Sequence, residues 1–234
     1  MSRLAVVTGA SRGIGRATAA RLFAEGFDVA ICARRPGPLA EAADAIRTLR
    51  PGGRVVTAVC DVADETQVAA FAKTCLAAGE VAVLVNNAGQ FVPGGLLAGD
   101  GAALRQQLDV NLMSAYWLTR ALVGGLRQNP GRGLVVNVCS VAGLAAYPPS
   151  GPYTVSKFAL RGLGVALRDE LKPDGIAVTN IFPGPTWSDS WSDSGVEAAR
   201  LMTAEDIAEV VAALTRLSPR AVAEEIVLRP TRDL

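Results

Sequence analysis

The chain has 234 residues, half of them hydrophobic, with 23 basic against 22 acidic side chains and no histidine. That length and apolar fraction suit one domain over 1–234 with a sizeable core, while a net charge of +1 argues against nucleic acid or an anionic membrane as partner. No apolar run reaches the roughly 18 residues of a membrane span, and MSRLAVVTG offers no separate signal segment, so a cytoplasmic protein is expected.

Short β-branched runs alternate with longer Ala/Leu-rich segments of helical period. This is the pattern of repeated βαβ units, and it predicts an α/β, Rossmann-type doubly wound parallel sheet of about seven strands with helices on both faces. The expected strands are 4–8, 29–33, 54–60, 81–85, 134–139, 176–182 and 225–228. The expected helices are 13–25, 38–49, 65–78, 102–128, 153–171 and 204–217. Gly26 should close the first helix, PGG at 51–53 the second, and Thr203 with Asp206 reads as a capping box for the last.

The first strand runs into Thr8-Gly9-Ala10-Ser11-Arg12-Gly13-Ile14-Gly15 and then a helix. Glycines allow a tight turn and close backbone approach, and a helix N-terminus offers free N–H groups to phosphate, so the turn reads as a dinucleotide site. An ordinary strand-to-helix turn is the plainer alternative. The second strand ends VAICARR, with Ala33, Arg34 and Arg35 where an NAD-binding fold usually carries an acid. A guanidinium suits the 2′-phosphate of NADP, and Arg12 could approach the same group, so NADP is expected over NAD. Arg34 and Arg35 as merely solvated loop charges is the competing reading. Asp28 precedes the expected strand and is not the missing acid.

Cys32, Cys60, Cys75 and Cys139 lack C-x-x-C spacing and any histidine partner, so no metal site is expected and buried reduced thiols are the simpler reading. Further on, GPYTVSK at 151–157 places Tyr153 and Lys157 four apart on an expected helix, one turn from each other. A lysine charge at about 5 Å in an effective dielectric of about 20 favours the phenolate by about 3 kcal/mol, or about two pKa units. Tyrosine thereby becomes a plausible acid/base in a chain without histidine. A surface Tyr/Lys pair is the alternative if the motif stands alone. WSDSWSDS at 187–194 reads either as Ser/Asp caps with tryptophans covering apolar surface or as a short substrate lid at 186–202 containing Trp187 and Trp191.

The motifs do not stand alone. From TGASRGIG, through NNAG at 86–89, Asn111, Ser140 in CSVAG and YTVSK, to PGPTWS at 183–188, the chain resembles the short-chain dehydrogenase/reductase family. The resemblance implies catalytic roles for Asn111, Ser140, Tyr153 and Lys157. Ser140 would orient a carbonyl oxygen, Tyr153 would exchange the proton, Lys157 would lower its pKa and bind the nicotinamide ribose, and Asn111 would hold a water linking Lys157 to solvent. It places Gly9, Ser11, Arg12, Gly13, Ile14, Gly15, Arg34, Arg35, Asp61, Val62, Asn87, Ala88, Gly89, Tyr153, Lys157, Pro183, Gly184, Thr186 and Ser188 against NADP. Pro185 departs from the usual P-G-x-x-x-T backbone, which puts the Ser188 contact in doubt. The implied activity is interconversion of a carbonyl and a secondary alcohol, resembling 3-oxoacyl-thioester and ketone reductases, with a small-molecule substrate. A homodimer or homotetramer pairing through the helices around 102–128 and 153–171 is also implied; full burial of both faces within one subunit is the alternative. A rival class, a non-catalytic NADP(H)-binding regulator of the same fold, has no chemical need for the four catalytic residues.

Overall fold

The computed structural model describes residues 3–97, 100–129, 133–188 and 195–232. Among these, seven parallel strands form one sheet, β1 (Arg3–Thr8), β2 (Asp28–Ala33), β3 (Val55–Val59), β4 (Glu80–Asn86), β5 (Leu134–Val138), β6 (Ala177–Pro183) and β7 (Glu225–Leu228). Their spatial order is β3-β2-β1-β4-β5-β6-β7. Chain order reverses between β1 and β4, and ligands of open α/β sheets bind beyond the carboxyl ends of the strands at such a point.

Alternation along β1 shows how the sheet separates two cores. Ala5 and Val7 face one side, where they join Leu22 and Phe23 of α1 (Gly13–Ala24), Leu39 and Ile46 of α2 (Pro36–Arg47) and Ile207 and Val211 of α7 (Ala204–Leu214). Leu4 and Val6 face the other, with Phe71 and Cys75 of α3 (Glu65–Ala78) and Leu118 and Leu122 of α5 (Ser114–Leu126). Each fully buried Leu, Ile or Phe contributes about 1.5–3 kcal/mol. Central strands therefore read as continuous apolar runs, whereas β3 and β7, at the two edges, alternate with partly open positions.

Most element boundaries fall within two residues of expectation, with two informative differences. The second helix starts at Pro36, whose ring presets the first-turn backbone, and ends at Arg47. PGG lies beyond it, in the turn that follows. The segment expected as one helix over 102–128 is three pieces: α4 (Ala102–Leu108), a π-helical turn (Asp109–Met113) and α5. Gly26, at φ 97°, follows the end of α1, and Thr203 and Asp206 form both bonds of the capping box. Asp28 is the first residue of β2 rather than its predecessor; it accepts from Arg54 N and pairs with Arg50.

Three asparagines cross the middle of the sheet. Asn86, Asn137 and Asn180 stand in register on β4, β5 and β6. The Asn86 amide donates to Asn137 Oδ1 at 2.9 Å and to Thr119 Oγ1 at 3.1 Å, and the Asn137 amide donates to Asn180 Oδ1 at 3.0 Å. All three are buried, so the bonds offset a desolvation cost that unpaired amides would carry. Gly164 of α6 (Gly151–Leu171) makes room for the ladder, because a Cβ there would fall on the Asn180 carboxamide.

Candidate active site

Above the switch between β1 and β4 lies a cavity of about 940 Å³. The glycine turn forms its floor. Gly9 has φ 64°, and a Cβ there would stand 2.9 Å from Ala88 Cα, so a larger residue would be both strained and crowded. Thr8 ties this turn to the NNAG segment, its hydroxyl accepting from Asn87 N at 3.0 Å and Ala88 N at 2.9 Å. Asn87 returns the link, donating to Thr8 O at 2.8 Å. Helix α1 then begins at Gly13 with no side-chain cap on its first N–H groups. Those donors open onto a wall that includes Ser11, Arg12, Gly13, Ile14 and Gly15, which fits an anionic phosphate group.

At the end of β2 the exposed Arg34 and Arg35 line the same cavity beside Ala33, with no carboxylate at that position. Asp61 and Val62 flank them after β3. Asp61 accepts from Ala63 N at 3.1 Å, and its own N–H donates to Gln67 Oε1 at 2.9 Å, which fixes this wall. Cys60 lies beneath it and shares a hydrogen bond with Cys32. All four cysteines are buried free thiols, and the described residues hold no cluster suited to a metal.

The opposite end of the cavity carries the tyrosine and the lysine. Both sit in the first two turns of α6, which begins at Gly151, two residues earlier than expected. Lys157 is buried; its Nζ donates to Val138 O at 3.0 Å and lies 5.7 Å from the centroid of the Tyr153 ring. Ser140 hydrogen-bonds the Tyr153 phenol, and its Oγ also accepts from Ala142 N at 3.1 Å, capping the short turn Val141–Gly143. Phe91 stands edge-on to Tyr153, with ring centroids 5.1 Å apart.

Electrostatics here differ from the expectation that the lysine lowers the tyrosine. Burial pushes the Tyr153 phenol up to about 12, against the opposing pull of the Ser140 hydrogen bond. Burial likewise lowers the Lys157 ammonium. Both shifts disfavour charge in a desolvated pocket, and this desolvation outweighs the attraction expected from the Tyr153–Lys157 spacing alone. Cys139, beside Lys157, is pushed up to about 12 by burial despite the lysine.

Asn111 lies in the π-helical turn, buried, and does not line the cavity. Its Nδ2 donates to Gln90 O at 3.0 Å and to Ser156 Oγ at 2.9 Å, and its Oδ1 accepts from Gln90 N at 2.7 Å. Oδ1 and Lys157 Nζ nevertheless flank Gly89, at 3.4 and 3.5 Å from where a Cβ would stand.

Of the expected cofactor residues at and after the end of β6, Ser188 lines the cavity while Pro183, Gly184 and Thr186 do not. Pairing accounts for this. Gly184 N donates to Leu228 O at 2.8 Å, extending β6 against β7, and Thr186 is bridged to Met202 with its hydroxyl turned to Gly184 O at 3.0 Å. Trp187 N donates to Met202 O at 2.8 Å, so 185–188 and 202 run side by side. Trp191 and the rest of WSDSWSDS from 189 to 194 lie outside the described residues. Cavity residues not anticipated from sequence include Val110, Val138 and Cys139, whereas Gln90 and Phe91 fall in the loop 90–100, where sequence reasoning expects substrate specificity to lie. Gln90 and Phe91 directly follow NNAG.

The chain matches the short chain dehydrogenase family over residues 3–199. It is 35% identical to an uncharacterised oxidoreductase of Bacillus subtilis across 82% of this chain and 68% of that protein. It is 39% identical to a protein assigned as a ketoacyl reductase of the monensin polyketide synthase in Streptomyces virginiae, across 78% and 70% of the two chains. A metagenomic short-chain oxidoreductase solved in complex with NADP superposes with a TM-score of 0.83 at 33% identity, covering 99% of this chain and 98% of that one. The family match over residues 3–199, together with these relatives, makes the chain a member of the short-chain dehydrogenase/reductase family of oxidoreductases.

Proposed function

We propose that the protein is an NADP(H)-dependent reductase that interconverts a ketone, of simple or 3-oxoacyl type, and a secondary alcohol. One observation carries this reading: a single cavity joins the uncapped start of α1 and the Arg34/Arg35 pair to Tyr153 and Lys157, and Ser140, outside the cavity lining, hydrogen-bonds the Tyr153 phenol. When bound, NADPH supplies the hydride for the carbonyl carbon. Gly13, Ile14 and Gly15 would hold its pyrophosphate through the helix N-terminus, and Arg34 or Arg35 its 2′-phosphate. The metagenomic relative crystallised with NADP supports that choice.

Ser140 and Tyr153 bring two hydroxyls to one point, so a carbonyl oxygen placed there accepts from both. As charge develops on that oxygen, Tyr153 Oη gives up its proton and the alcohol forms. In the reverse direction the same phenolate takes the proton back. Lys157, positively charged beside the ring, stabilises that phenolate, and Nζ keeps protons available beyond the one given to Val138. Asn111 Oδ1 has a second lone pair on the Gly89 side, where a water would connect it to Lys157.

Helices α5 and α6 carry exposed apolar side chains, Tyr116 on the first and Val155, Phe158 and Val165 on the second. These support pairing with a second copy of the chain. Among the described residues no helix is long and apolar enough to cross a membrane.

The test is NADPH oxidation against a panel of ketones and 3-oxoacyl thioesters, with Tyr153→Phe as control. Turnover lost by about 10²- to 10⁴-fold in the variant, with NADPH still bound, is the expected result. Tight NADPH binding with no turnover on any carbonyl would instead make the protein a regulator.

A further inference from the structure

Resting on the reductase reading, we propose that this site selects uncharged ketones bearing an aryl or similarly flat apolar group. Phe91 is the wall that recognises the group, and Gln107 is the positioning residue that sets the wall.

Gln90 and Phe91 of 90–97 (QFVPGGLL) and Ser188 of 183–188 (PGPTWS) line the cavity, and 144–151 (LAAYPPSG) runs beside 90–97 through a Gly94–Ser150 bridge; none of the three segments contains an ionisable acid or base other than Tyr147. They do carry large exposed apolar groups, Phe91 at 45% exposure, Leu96 at 51%, Tyr147 at 45% and Trp187 at 42%. Exposed aromatic and aliphatic surface beside a cleft is the setting for an apolar ligand, and a carboxylate or phosphate entering it would lose hydration while the cation at that end, Lys157, is buried and hydrogen-bonded to Val138 O.

Phe91 is held there by a regular device. Gln90 is bracketed by Asn111, which accepts from its N–H at 2.7 Å and donates to its carbonyl at 3.0 Å. Val92 is bracketed by Gln107 in the same two-way manner, both bonds at 3.2 Å. Gly94 is bracketed by backbone, donating to Pro149 O at 2.7 Å and accepting from Gly151 N at 3.1 Å. Alternate residues 90, 92 and 94 are thus pinned as if to a neighbouring strand, which leaves residue 91 to project from the pinned ladder. It projects onto Tyr153, edge to face. Gln107 is fully buried, and its carboxamide both gives and takes at one residue, which no apolar residue of its length does.

The experiment compares acetophenone with butan-2-one and a 2-oxo acid in steady-state turnover with NADPH. In parallel, quenching of tryptophan fluorescence reads binding of the same three probes to the protein–NADPH complex. Wild type is expected to favour acetophenone over both others in kcat/KM and in affinity. Phe91→Ala should cut the preference over butan-2-one by about tenfold, mainly through KM. Gln107→Met should cut it in the same direction and add nothing when combined with Phe91→Ala, because it acts through that ring. An unchanged preference in Phe91→Ala, or tighter binding of the oxo acid, overturns the proposal. Additive losses in the double variant overturn the role of Gln107. Phe91 is exposed, so its variant tests the wall even if Gln107→Met does not fold. Absence of turnover on every probe would sink the reductase reading alone, since the binding comparison still decides what Phe91 recognises.

Discussion

Lys157 Nζ donates to the Val138 carbonyl at 3.0 Å while standing 5.7 Å from the centre of the Tyr153 ring. The lysine is therefore anchored to the end of β5, and Tyr153 is half-buried with its phenol pushed up to about 12. Alcohol oxidation needs the phenolate, so its kcat/KM should rise about tenfold per pH unit between about pH 7 and 9. Carbonyl reduction needs the neutral phenol and should stay flat over that range. Ser140→Ala removes the hydrogen bond that pulls the phenol down, so the upper bend of the oxidation profile should move to higher pH. A pH-independent oxidation rate in the wild type would remove Tyr153 from proton transfer.

Cofactor preference should respond to Arg34. Replacing it by Asp puts a carboxylate where the 2′-phosphate would lie, and loss of one charge-assisted bond is worth about 1.5–3 kcal/mol. The NADPH-over-NADH ratio of kcat/KM is expected to fall by about 10- to 100-fold. Measuring both cofactors with one ketone checks this, and an unchanged ratio would leave Arg34 a solvated loop charge.

Stability should fall in alkali. Burial holds the thiols of Cys75 and Cys139 and the phenol of Tyr153 each at about 12 in the folded chain. Unfolded, these groups ionise at about 8.5 to 10, so between there and pH 12 the folded state binds more protons and loses stability as pH rises. Lys157, lowered by burial, acts the other way below its unfolded value. Three groups outweigh one, and urea midpoints should drop steadily from about pH 9 to 11. Cys75→Ala is expected to flatten that slope.

Gly164→Ala should destabilise the protein. Alanine gains about 1 kcal/mol of helix propensity, but its methyl would displace the Asn180 carboxamide and strain of about 1–3 kcal/mol follows. A urea midpoint at or above wild type would show that the helix shifts freely.

Much of the site was legible because its signals are local. The spacing of Tyr153 and Lys157 needs only helical geometry, and the glycine turn only a strand before it and a helix after. What stayed hidden depends on non-local pairing. Asn111 sits in a π-helical turn inside a pattern that reads as continuous helix, and the apolar period does not reveal the extra residue. Pro183 and Gly184 leave the cavity wall because β7, some forty residues later, claims their backbone, and Thr186 because Met202 bridges to it. Desolvation, which reverses the expected shift of Tyr153, is a property of the packed pocket and has no signature in spacing.

The asparagine ladder has a consequence for assembly of the site. A one-residue slip of β5 against β4 or β6 would turn Asn137 to the opposite face and strand three amides in apolar surroundings. Val138, Cys139 and Ser140 directly follow Asn137, so the ladder works as a key that admits a single alignment of the strands. Only in that alignment do the lysine's carbonyl anchor and the serine hydroxyl arrive beside the tyrosine.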